Sequence, residues 1–172
     1  SVTGGRLDAV PGGSATVTGP VVADSREVAA GGLFVAVHGQ RVDGHDFAAA
    51  AVAGGAVAVL AEHAVGVPAV LVDDAVRALG DLARAVLGRA GATDVIGVTG
   101  SSGKTSTKDL LAQVLAGRGP LVVPQGSYNT EIGVPLTVLA VDEATRTLVL
   151  EMGARGTGHI AYDNVSKNYQ AA

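Results

Sequence analysis

Short apolar runs and stretches of helical spacing alternate over most of this chain. Three runs of strand length occur in its first half, at residues 33–37, 57–60 and 69–72. The Ala-rich stretch 47–53 predicts a helix between the first two runs, with Asp46 as its N-cap and the glycines at 54 and 55 as its end. Strands that alternate with helices in this way predict a small α/β domain.

A longer helix and an N-terminal pair of strands complete the expectation for this half. Apolar residues recur with helical spacing at Val76, Leu79, Leu82, Ala83, Val86 and Leu87. Either Asp73 or Asp74 is expected to cap this helix. Upstream, the β-type runs 15–18 and 21–23 are separated by Gly19 and Pro20, which predicts two strands joined by a turn.

The second half contains a strand, a glycine loop and a helix in direct succession. Residues 95–99 form a short β-branched run, residues 100–103 form a tight Gly/Ser loop, and a helix is expected to begin at Lys104. The apolar positions of that helix are Leu110, Leu111, Val114 and Leu115. This succession is the structural context of a phosphate-binding loop.

The chemistry of this loop suits a polyphosphate. Gly100 and Gly103 lack a Cβ, so they can adopt positive φ and let backbone amides approach an anion, while the new helix adds unpaired amides and a positive dipole end. Lys104 would supply a cation for the β- and γ-phosphates, and Thr105 a hydroxyl for Mg²⁺. Val98 stands where the general G-x-x-x-x-G-K-[ST] pattern has its first glycine. The alternative is a Gly-rich turn with a surface lysine, but the coincidence of all these features favours a nucleotide.

The remaining elements lead to a carboxylate beside this loop. The pattern predicts a strand, a polar turn, a helix and a further strand, at residues 121–123, 125–130, 132–139 and 148–150. The last strand ends at Glu151. Ligands of open parallel sheets lie beyond the carboxyl ends of the strands, so Glu151 is expected at the same edge as Thr99. There it is either a ligand of Mg²⁺, which prefers hard oxygen ligands, or an ordinary solvated carboxylate.

The composition argues against several classes of function. Of the 172 residues, 48% are hydrophobic and 16% are charged, which favours a buried core over disorder. A net charge of −4 and 3% aromatic residues give no reason to expect nucleic-acid binding. The sequence has no cysteine and therefore no thiolate metal site, and its four histidines are dispersed, which does not indicate a metal cluster. Since no signal peptide or membrane-spanning run is apparent, the expected location is the cytoplasm.

Several motifs resemble those of the Mur ligases, the ATP-dependent amide-forming enzymes of peptidoglycan synthesis. The loop TGSSGKT at residues 99–105 resembles their ATP loop. Three segments resemble the domain that holds the UDP end of the substrate: DSR at 24–26, GLFVAV at 32–37 and DGHDF at 43–47. Two later segments are similar to the family members that add D-alanyl-D-alanine: NTEIGVP at 129–135 and EMGAR at 151–155.

The resemblance implies an α/β fold in two parts. Residues 1–90 would form a small N-terminal α/β domain that binds UDP, and residues 91–172 would form part of a P-loop-type, parallel-sheet ATPase domain. The resemblance covers roughly residues 22–162, whereas family members are far longer, and the tail 163–172 does not match the expected continuation. We therefore expect a fragment with little or no ligase activity by itself.

The resemblance also implies a reaction and the residues that carry it out. ATP would phosphorylate the C-terminal carboxylate of UDP-MurNAc-tripeptide, and the amine of D-Ala-D-Ala would displace the phosphate to form an amide. Lys104, Glu151 and Asn129 would be catalytic, and Thr105 and Glu151 would hold Mg²⁺. ATP would be bound by Thr99, Gly100, Ser101, Ser102, Gly103, Lys104, Thr105 and Ser106. The other substrates would be bound by Ser25, Arg26, His38, Gly39, Gln40, Asn129 and Thr130.

Alternatives to these assignments stay open. Arg26 would otherwise only pair with a neighbouring carboxylate, His38 would be a loop residue without contacts, and His45 would support a helix cap. The whole chain would otherwise be a non-catalytic module that binds nucleotide or UDP-sugar and needs a partner. A general P-loop phosphotransferase or GTPase is disfavoured by the segments at 129–135 and 151–155 and by the displaced loop glycine.

Overall fold

The chain divides into two compact units, Ser1–Leu79 and Gly80–Ala172. The computed structural model describes residues 2–39, 42–90, 93–126 and 128–153. In this part of the chain no helix combines the length and the apolar character that crossing a membrane requires. The division falls upstream of the boundary expected after residue 90, and the assignment of a UDP-binding and an ATP-binding domain stays a prediction.

The first unit contains a five-stranded sheet. Its strands are β1 (Arg6–Asp8), β2 (Val21–Val22), β3 (Gly32–Val35), β4 (Ala56–Ala61) and β5 (Ala69–Leu71). Their order in the sheet is β1-β5-β4-β3-β2, with β1 antiparallel to β5 and all other neighbours parallel. The strands predicted at 33–37, 57–60 and 69–72 are thus confirmed as β3, β4 and β5.

The predicted N-terminal strand pair is wrong. Residues 15–18 form no strand, and β2 pairs with β3 in parallel instead of with its upstream neighbour. Pro20 and Leu33 begin this pairing, since the Leu33 amide donates to the Pro20 carbonyl at 3.0 Å. Residues 11–18 are exposed throughout, so they have no apolar face to bury, whereas β3 is buried along its whole length and provides a strong partner.

The helix predicted at 47–53 begins differently from the expectation. Asp46 does not cap it. Asp43 accepts the His45 amide at 2.9 Å and starts a 3₁₀ turn, Gly44–Phe47, that leads into helix α1 (Ala48–Ala53). The expected glycine end is confirmed, because Gly54 is the C-cap and Gly55 adopts a φ of 115°.

Small side chains dominate the core of the first unit. Helix α1 contacts β3 and β4, and its Ala48 and Ala51 are buried against Phe34 and Val59. Alanine on the inner face lets the helix backbone approach the sheet closely. The core cluster therefore consists mainly of small aliphatic side chains around Phe34, which agrees with the low aromatic content.

The second unit contains a parallel sheet of three strands. Its strands are β6 (Asp94–Val98), β7 (Leu121–Val122) and β8 (Thr147–Glu151), in the order β6-β8-β7. Its helices are α3 (Lys104–Leu115) and α4 (Gly133–Val138), and helix α2 (Ala75–Arg89) spans the division between the units. All five residues of the central strand β8 are buried, and the predicted order of strand, loop, helix, strand, helix and strand is confirmed.

Helix α3 buries a face that the apolar pattern does not indicate. Two of its four predicted apolar positions, Leu110 and Val114, are 62% and 67% exposed. Its one fully buried residue is Lys108, and the half-buried Leu111 and Leu115 lie on the same side, three and seven residues further along. The inner face of α3 therefore consists of the charged Lys108 and two of the four predicted apolar residues, Leu111 and Leu115.

The N-cap of α2 provides a test of the fold. Asp74, and not Asp73, is the cap, because its Oδ1 accepts the Arg77 amide at 2.8 Å. We expect Asp74→Ala to lower the free energy of unfolding by about 1 kcal/mol, since that amide loses its acceptor. Asp73→Ala, the matched control, should change it by less than about 0.5 kcal/mol. Urea unfolding followed by circular dichroism measures both, and equal losses would contradict the cap assignment.

Candidate functional site

The glycine loop after β6 has the backbone expected of an anion-binding turn. Gly100 and Gly103 adopt φ values of 146° and 76°, as the sequence predicts. Gly103 is the N-cap of α3, and no side chain in the described part of the chain caps this helix. The first amides of α3 are thus available to an acceptor outside the loop, at the positive end of the helix dipole.

The loop is open. Residues 99–103 are all exposed, and a Cβ built on Gly103 would meet no described atom within 4 Å. The Lys104 Nζ donates to the Gly100 carbonyl at 3.0 Å, so its ammonium group lies across the loop. An approaching anion would therefore meet backbone amides, one cation and the exposed hydroxyls of Ser101 and Ser102.

Glu151 lies at the same edge of the sheet as this loop. It pairs in register with Val98, the last residue of β6, which confirms the expected juxtaposition with Thr99. Its side chain is buried, with the residue 1% exposed. Oε1 accepts two hydrogen bonds, from Thr105 Oγ1 at 3.2 Å and from Asn129 Nδ2 at 2.9 Å.

The second oxygen of Glu151 is left without a partner. Oε2 is buried, and no donor among the described residues forms a hydrogen bond with it. A buried carboxylate oxygen without a partner is costly unless a cation or a donor satisfies it. The donor set, a carboxylate beside the Thr105 hydroxyl, is the kind of hard oxygen environment that suits Mg²⁺.

Asn129 is held from both sides. Its side chain donates to Glu151, and its carbonyl accepts the Gly153 amide at 3.0 Å. A Cβ on Gly153 would lie 2.8 Å from that carbonyl, so only glycine fits there. Gly153 has no role predicted from the sequence, although its place two residues after Glu151 in the EMGAR segment is a signal. Ala154 and Arg155 of that segment lie outside the described residues.

Two other predicted residues of the second unit have different surroundings. Thr130 Oγ1 accepts the Gly133 amide at 3.1 Å, so this hydroxyl helps to start α4. Ser106 is exposed on the first turn of α3. The structure thus brings Thr105, Asn129 and Glu151 into direct contact, while Thr130 is occupied by a local hydrogen bond.

The predicted UDP residues of the first unit share one edge of its sheet. Ser25 and Arg26 follow β2, and His38 and Gly39 follow β3, its parallel neighbour. The carboxyl ends of these strands therefore place the four residues on one side. Gln40 lies outside the described residues.

Arg26 is bound to a neighbouring carboxylate. Its Nε donates to Asp24 Oδ1 at 2.9 Å, and its Nη2 forms a short bond to Oδ2, while the Arg26 side chain is 86% exposed. Hydrogen bonds from the Arg26 side chain and then from its backbone amide lower the pKa of Asp24 to about 2. A direct role of Arg26 in substrate binding stays a prediction.

Three of the four histidines gather at this edge, contrary to the dispersion that the sequence suggests. The His45 ring stacks on His63 with centroids 4.2 Å apart and lies 4.8 Å from the His38 ring. His38 Nδ1 is 3.0 Å from Asp43 Oδ2, and its Nε2 is 3.5 Å from Glu62 Oε2. His38 is thus no isolated loop residue, and it links the carboxylates of two segments.

This cluster is built for hydrogen bonds rather than for a metal. Ligand atoms of His38, Asp43 and His45 lie within 4.8 Å of one another. However, the Glu62 amide can only donate, and it donates to His45 Nε2 at 3.0 Å, so the ring proton must be on Nδ1. Nδ1 lies 2.6 Å from Asp43 Oδ1, and the proton between these two atoms occupies the position that a metal would need. The amide and ring of His45 together lower the pKa of Asp43.

Comparison with known families identifies two matching models. The model described as "Mur ligase middle domain" matches residues 98–172, and the one described as "Mur ligase family, catalytic domain" matches residues 20–87. Curated relatives include UDP-N-acetylmuramoyl-tripeptide–D-alanyl-D-alanine ligases. That of Mycobacterium tuberculosis is 49% identical over 168 residues, and that of Bacillus subtilis is 44% identical over 150. The chain spans about a third of their length: 84% of it matches 33% of each relative.

Solved structures give the same result. A crystal structure of MurF from Acinetobacter baumannii superimposes with a TM-score of 0.83 at 32% identity and covers 96% of this chain and 37% of that one. A structure of MurF ligase from Thermotoga maritima in complex with ADP superimposes with a TM-score of 0.74 at 42% identity, covering 88% and 35%. The fold of this chain is therefore that of the corresponding part of these proteins.

The Asp24–Arg26 pair generates a prediction about pH. We expect the Asp24 carboxyl to titrate with a pKa of about 2, because Arg26 stabilises its charged form. The pKa is lowered in the folded state, so the pair stabilises the fold above the ordinary aspartate range, and this contribution is lost as the pH falls towards 2. An NMR titration of the side-chain carboxyl carbon measures it.

Two variants control this titration. Arg26→Ala should raise the Asp24 pKa towards the ordinary range, because only the backbone amide of residue 26 then remains as a donor, and Arg6→Ala, which removes an exposed arginine from β1, should leave it unchanged. An ordinary pKa in the wild-type protein would show that the pair does not form in solution.

Proposed function

Because this chain belongs to the Mur ligase family, we propose that it supplies the nucleotide-binding and UDP-binding parts of an ATP-dependent ligase. The ligase would join D-Ala-D-Ala to UDP-MurNAc-tripeptide in the cytoplasm, as part of peptidoglycan synthesis. The names of its relatives support these substrates, and so do the segments that contain Asn129 and Glu151. One observation carries the proposal: an open glycine loop at the start of α3 lies at the same sheet edge as a buried carboxylate with one unpartnered oxygen.

The loop is the proposed ATP site. The uncapped amides of α3 and the ammonium group of Lys104 would hold the phosphates, with Lys104 leaving the Gly100 carbonyl for an anionic oxygen. Thr99, Gly100, Ser101, Ser102, Gly103, Thr105 and Ser106 complete this site. The structure of the MurF ligase from Thermotoga maritima in complex with ADP supports nucleotide binding.

The proposed reaction has two steps. First, a carboxylate oxygen of the tripeptide bonds to the γ-phosphorus of ATP while the bond from that phosphorus to the bridging oxygen breaks, and ADP leaves. Next, the amine of D-Ala-D-Ala attacks the acyl carbon and loses a proton, and inorganic phosphate leaves as the amide forms. Lys104 and the loop amides stabilise the negative charge that is redistributed over the phosphoryl group in the first step.

Glu151 and Thr105 are the proposed ligands of Mg²⁺. The residues present fit such an ion, since Glu151 Oε2 is buried without a donor and Thr105 Oγ1 lies beside Oε1. When bound, Mg²⁺ neutralises charge on the phosphates of the nucleotide. Asn129 keeps Oε1 occupied, which leaves the buried Oε2 as the oxygen without a partner among the described residues.

The UDP end of the other substrate would bind to the first unit. Ser25, Arg26, His38, Gly39 and Gln40 are the proposed contacts, and Asn129 and Thr130 would contact substrate in the second unit. The two carboxylates that His38 bridges are themselves held, since Asp43 is bound by the His45 ring and Glu62 accepts the Ala75 amide.

Removal of the loop cation tests the ATP site. Lys104→Ala should weaken ATP binding by about ten- to a hundredfold, the range expected for one charge-assisted hydrogen bond. Calorimetric titration of the protein with ATP measures this change. Arg118→Ala removes an exposed cation beyond the end of α3 and should leave the affinity unchanged. Unchanged binding by Lys104→Ala would remove the basis of the ATP assignment.

Glu151 tests the metal site. Wild-type protein should bind ATP more tightly with Mg²⁺ than in EDTA, and Glu151→Gln should remove most of this difference, because an amide oxygen is a weaker ligand than a carboxylate. In EDTA, Glu151→Gln should change the affinity for ATP by less than about threefold, since the glycine loop is intact. Glu143→Gln, at an exposed turn, is the matched control. A Mg²⁺ effect that persists in Glu151→Gln would contradict the assignment.

A further inference from the structure

Lys108 is the one fully buried residue of helix α3. The residue is 4% exposed, whereas the neighbouring Leu110 is 62% exposed. A lysine ammonium group loses its hydration on burial, which is costly unless acceptors in the protein replace the water. The inward position of Lys108 therefore requires specific partners.

The structure supplies an acceptor for each of its three N–H groups. Nζ donates to the carbonyls of Pro124 and Gly126, at 3.1 Å each, and lies 3.0 Å from Asp109 Oδ1. An ammonium group has three donors and no acceptor, so this set satisfies it completely. Two of the three acceptors are backbone atoms of one short segment, the turn that follows β7.

That turn leads directly to Asn129. Pro124 is buried and Gly126 adopts a φ of 56°, so the backbone bends here between β7 and the segment that carries Asn129. On the other side of the contact, Lys108 lies three residues after Thr105, on the same face of α3. The ammonium group thus joins the helix that carries Thr105 to the turn that ends three residues before Asn129, and both Thr105 and Asn129 bind Glu151 Oε1.

We propose that Lys108 is a positioning residue of the nucleotide site. Its ammonium group fixes the turn at Pro124 and Gly126 against α3 and thereby holds the Asn129 carboxamide on Glu151 Oε1. With Oε1 occupied, Oε2 is the oxygen that faces a metal ion. This inference rests on the function proposed above where it concerns the metal, but the geometry that it assigns to Asn129 is independent of any ligand.

Lys108→Met tests this inference, because it keeps the length of the side chain and removes the charge. We expect the affinity for ATP with Mg²⁺ to fall by about tenfold, the lower range for losing an outer-shell partner of a metal ligand. The affinity in EDTA should fall by less than about threefold, because the loop amides and Lys104 are intact. A simple loss of folded protein would instead lower both affinities by the same factor, and that result would overturn the inference.

A second readout needs no ligand. The side-chain amide signals of Asn129 in a ¹⁵N spectrum report its bond to Glu151, and Glu151→Gln identifies their shift when the acceptor changes. We expect Lys108→Met to shift these signals by a comparable amount. Asp109→Asn removes only the charge of the exposed partner of the ammonium group and should leave these signals in place. Unchanged Asn129 signals in Lys108→Met would overturn the inference even if ATP binding changed.

The two readouts separate the proposals. If wild-type protein fails to bind ATP, the proposed function fails, while the Asn129 signals still decide the role of Lys108. If Lys108→Met does not fold, as circular dichroism would show, Lys108→Arg takes its place with the same two measurements. Arginine keeps the charge but changes the geometry of the donors. If Lys108→Arg loses affinity for ATP with Mg²⁺ by a smaller factor than expected for Lys108→Met, and its Asn129 signals are shifted, the inference is supported. Wild-type affinity together with wild-type Asn129 signals in Lys108→Arg would overturn it.

Discussion

The buried carboxylate of Glu151 is the constraint on which the second unit depends. It ends the central strand of the sheet, where all residues are buried, so water cannot satisfy its two oxygens. One of these oxygens, Oε1, accepts hydrogen bonds from Thr105 at the start of α3 and from Asn129 in the segment after β7. Three elements that are distant in sequence are thereby fixed around one atom, and the glycine loop lies at the same edge because β6 pairs with β8 in register.

In the first unit, imidazole rings and carboxylates satisfy one another in a similar way. Polar residues follow the parallel strands β2, β3 and β4 at one edge of the sheet, where His45 is buried and must have both ring nitrogens satisfied. Asp43 and the backbone of Glu62 satisfy them and fix the tautomer. Glu62 also accepts the amide of Ala75 at 2.9 Å, so the same residue anchors the first turn of α2. The Glu62 side chain thus contacts both His38 and the start of α2.

Sequence reasoning succeeded where the determinants are local. The strand, loop and helix at residues 94–115 follow from a β-branched run, two glycines and helical spacing, all within about twenty residues. It failed where the contacting residues are distant in sequence. Strand β2 pairs with β3 and not with the residues upstream of it. His38 and His45 contact Glu62 because the register of β3 and β4 brings the ends of these strands together. The burial of Lys108 was not predicted, because hydrophobic patterns assign charged residues to the surface. It is explained by the carbonyls of residues 124 and 126, which accept hydrogen bonds from its ammonium group.

The uncapped start of α3 has a thermodynamic consequence. A helix that begins at a glycine instead of at a capping Ser, Thr, Asp or Asn forgoes roughly a few tenths of a kcal/mol of local stability. Any anion that accepts hydrogen bonds from those amides completes the first turn and binds only to the folded chain, so occupancy and folding are linked quantities. The melting temperature of this protein should therefore depend on the phosphate or sulfate content of its buffer, and denaturation curves recorded in different salts are not interchangeable.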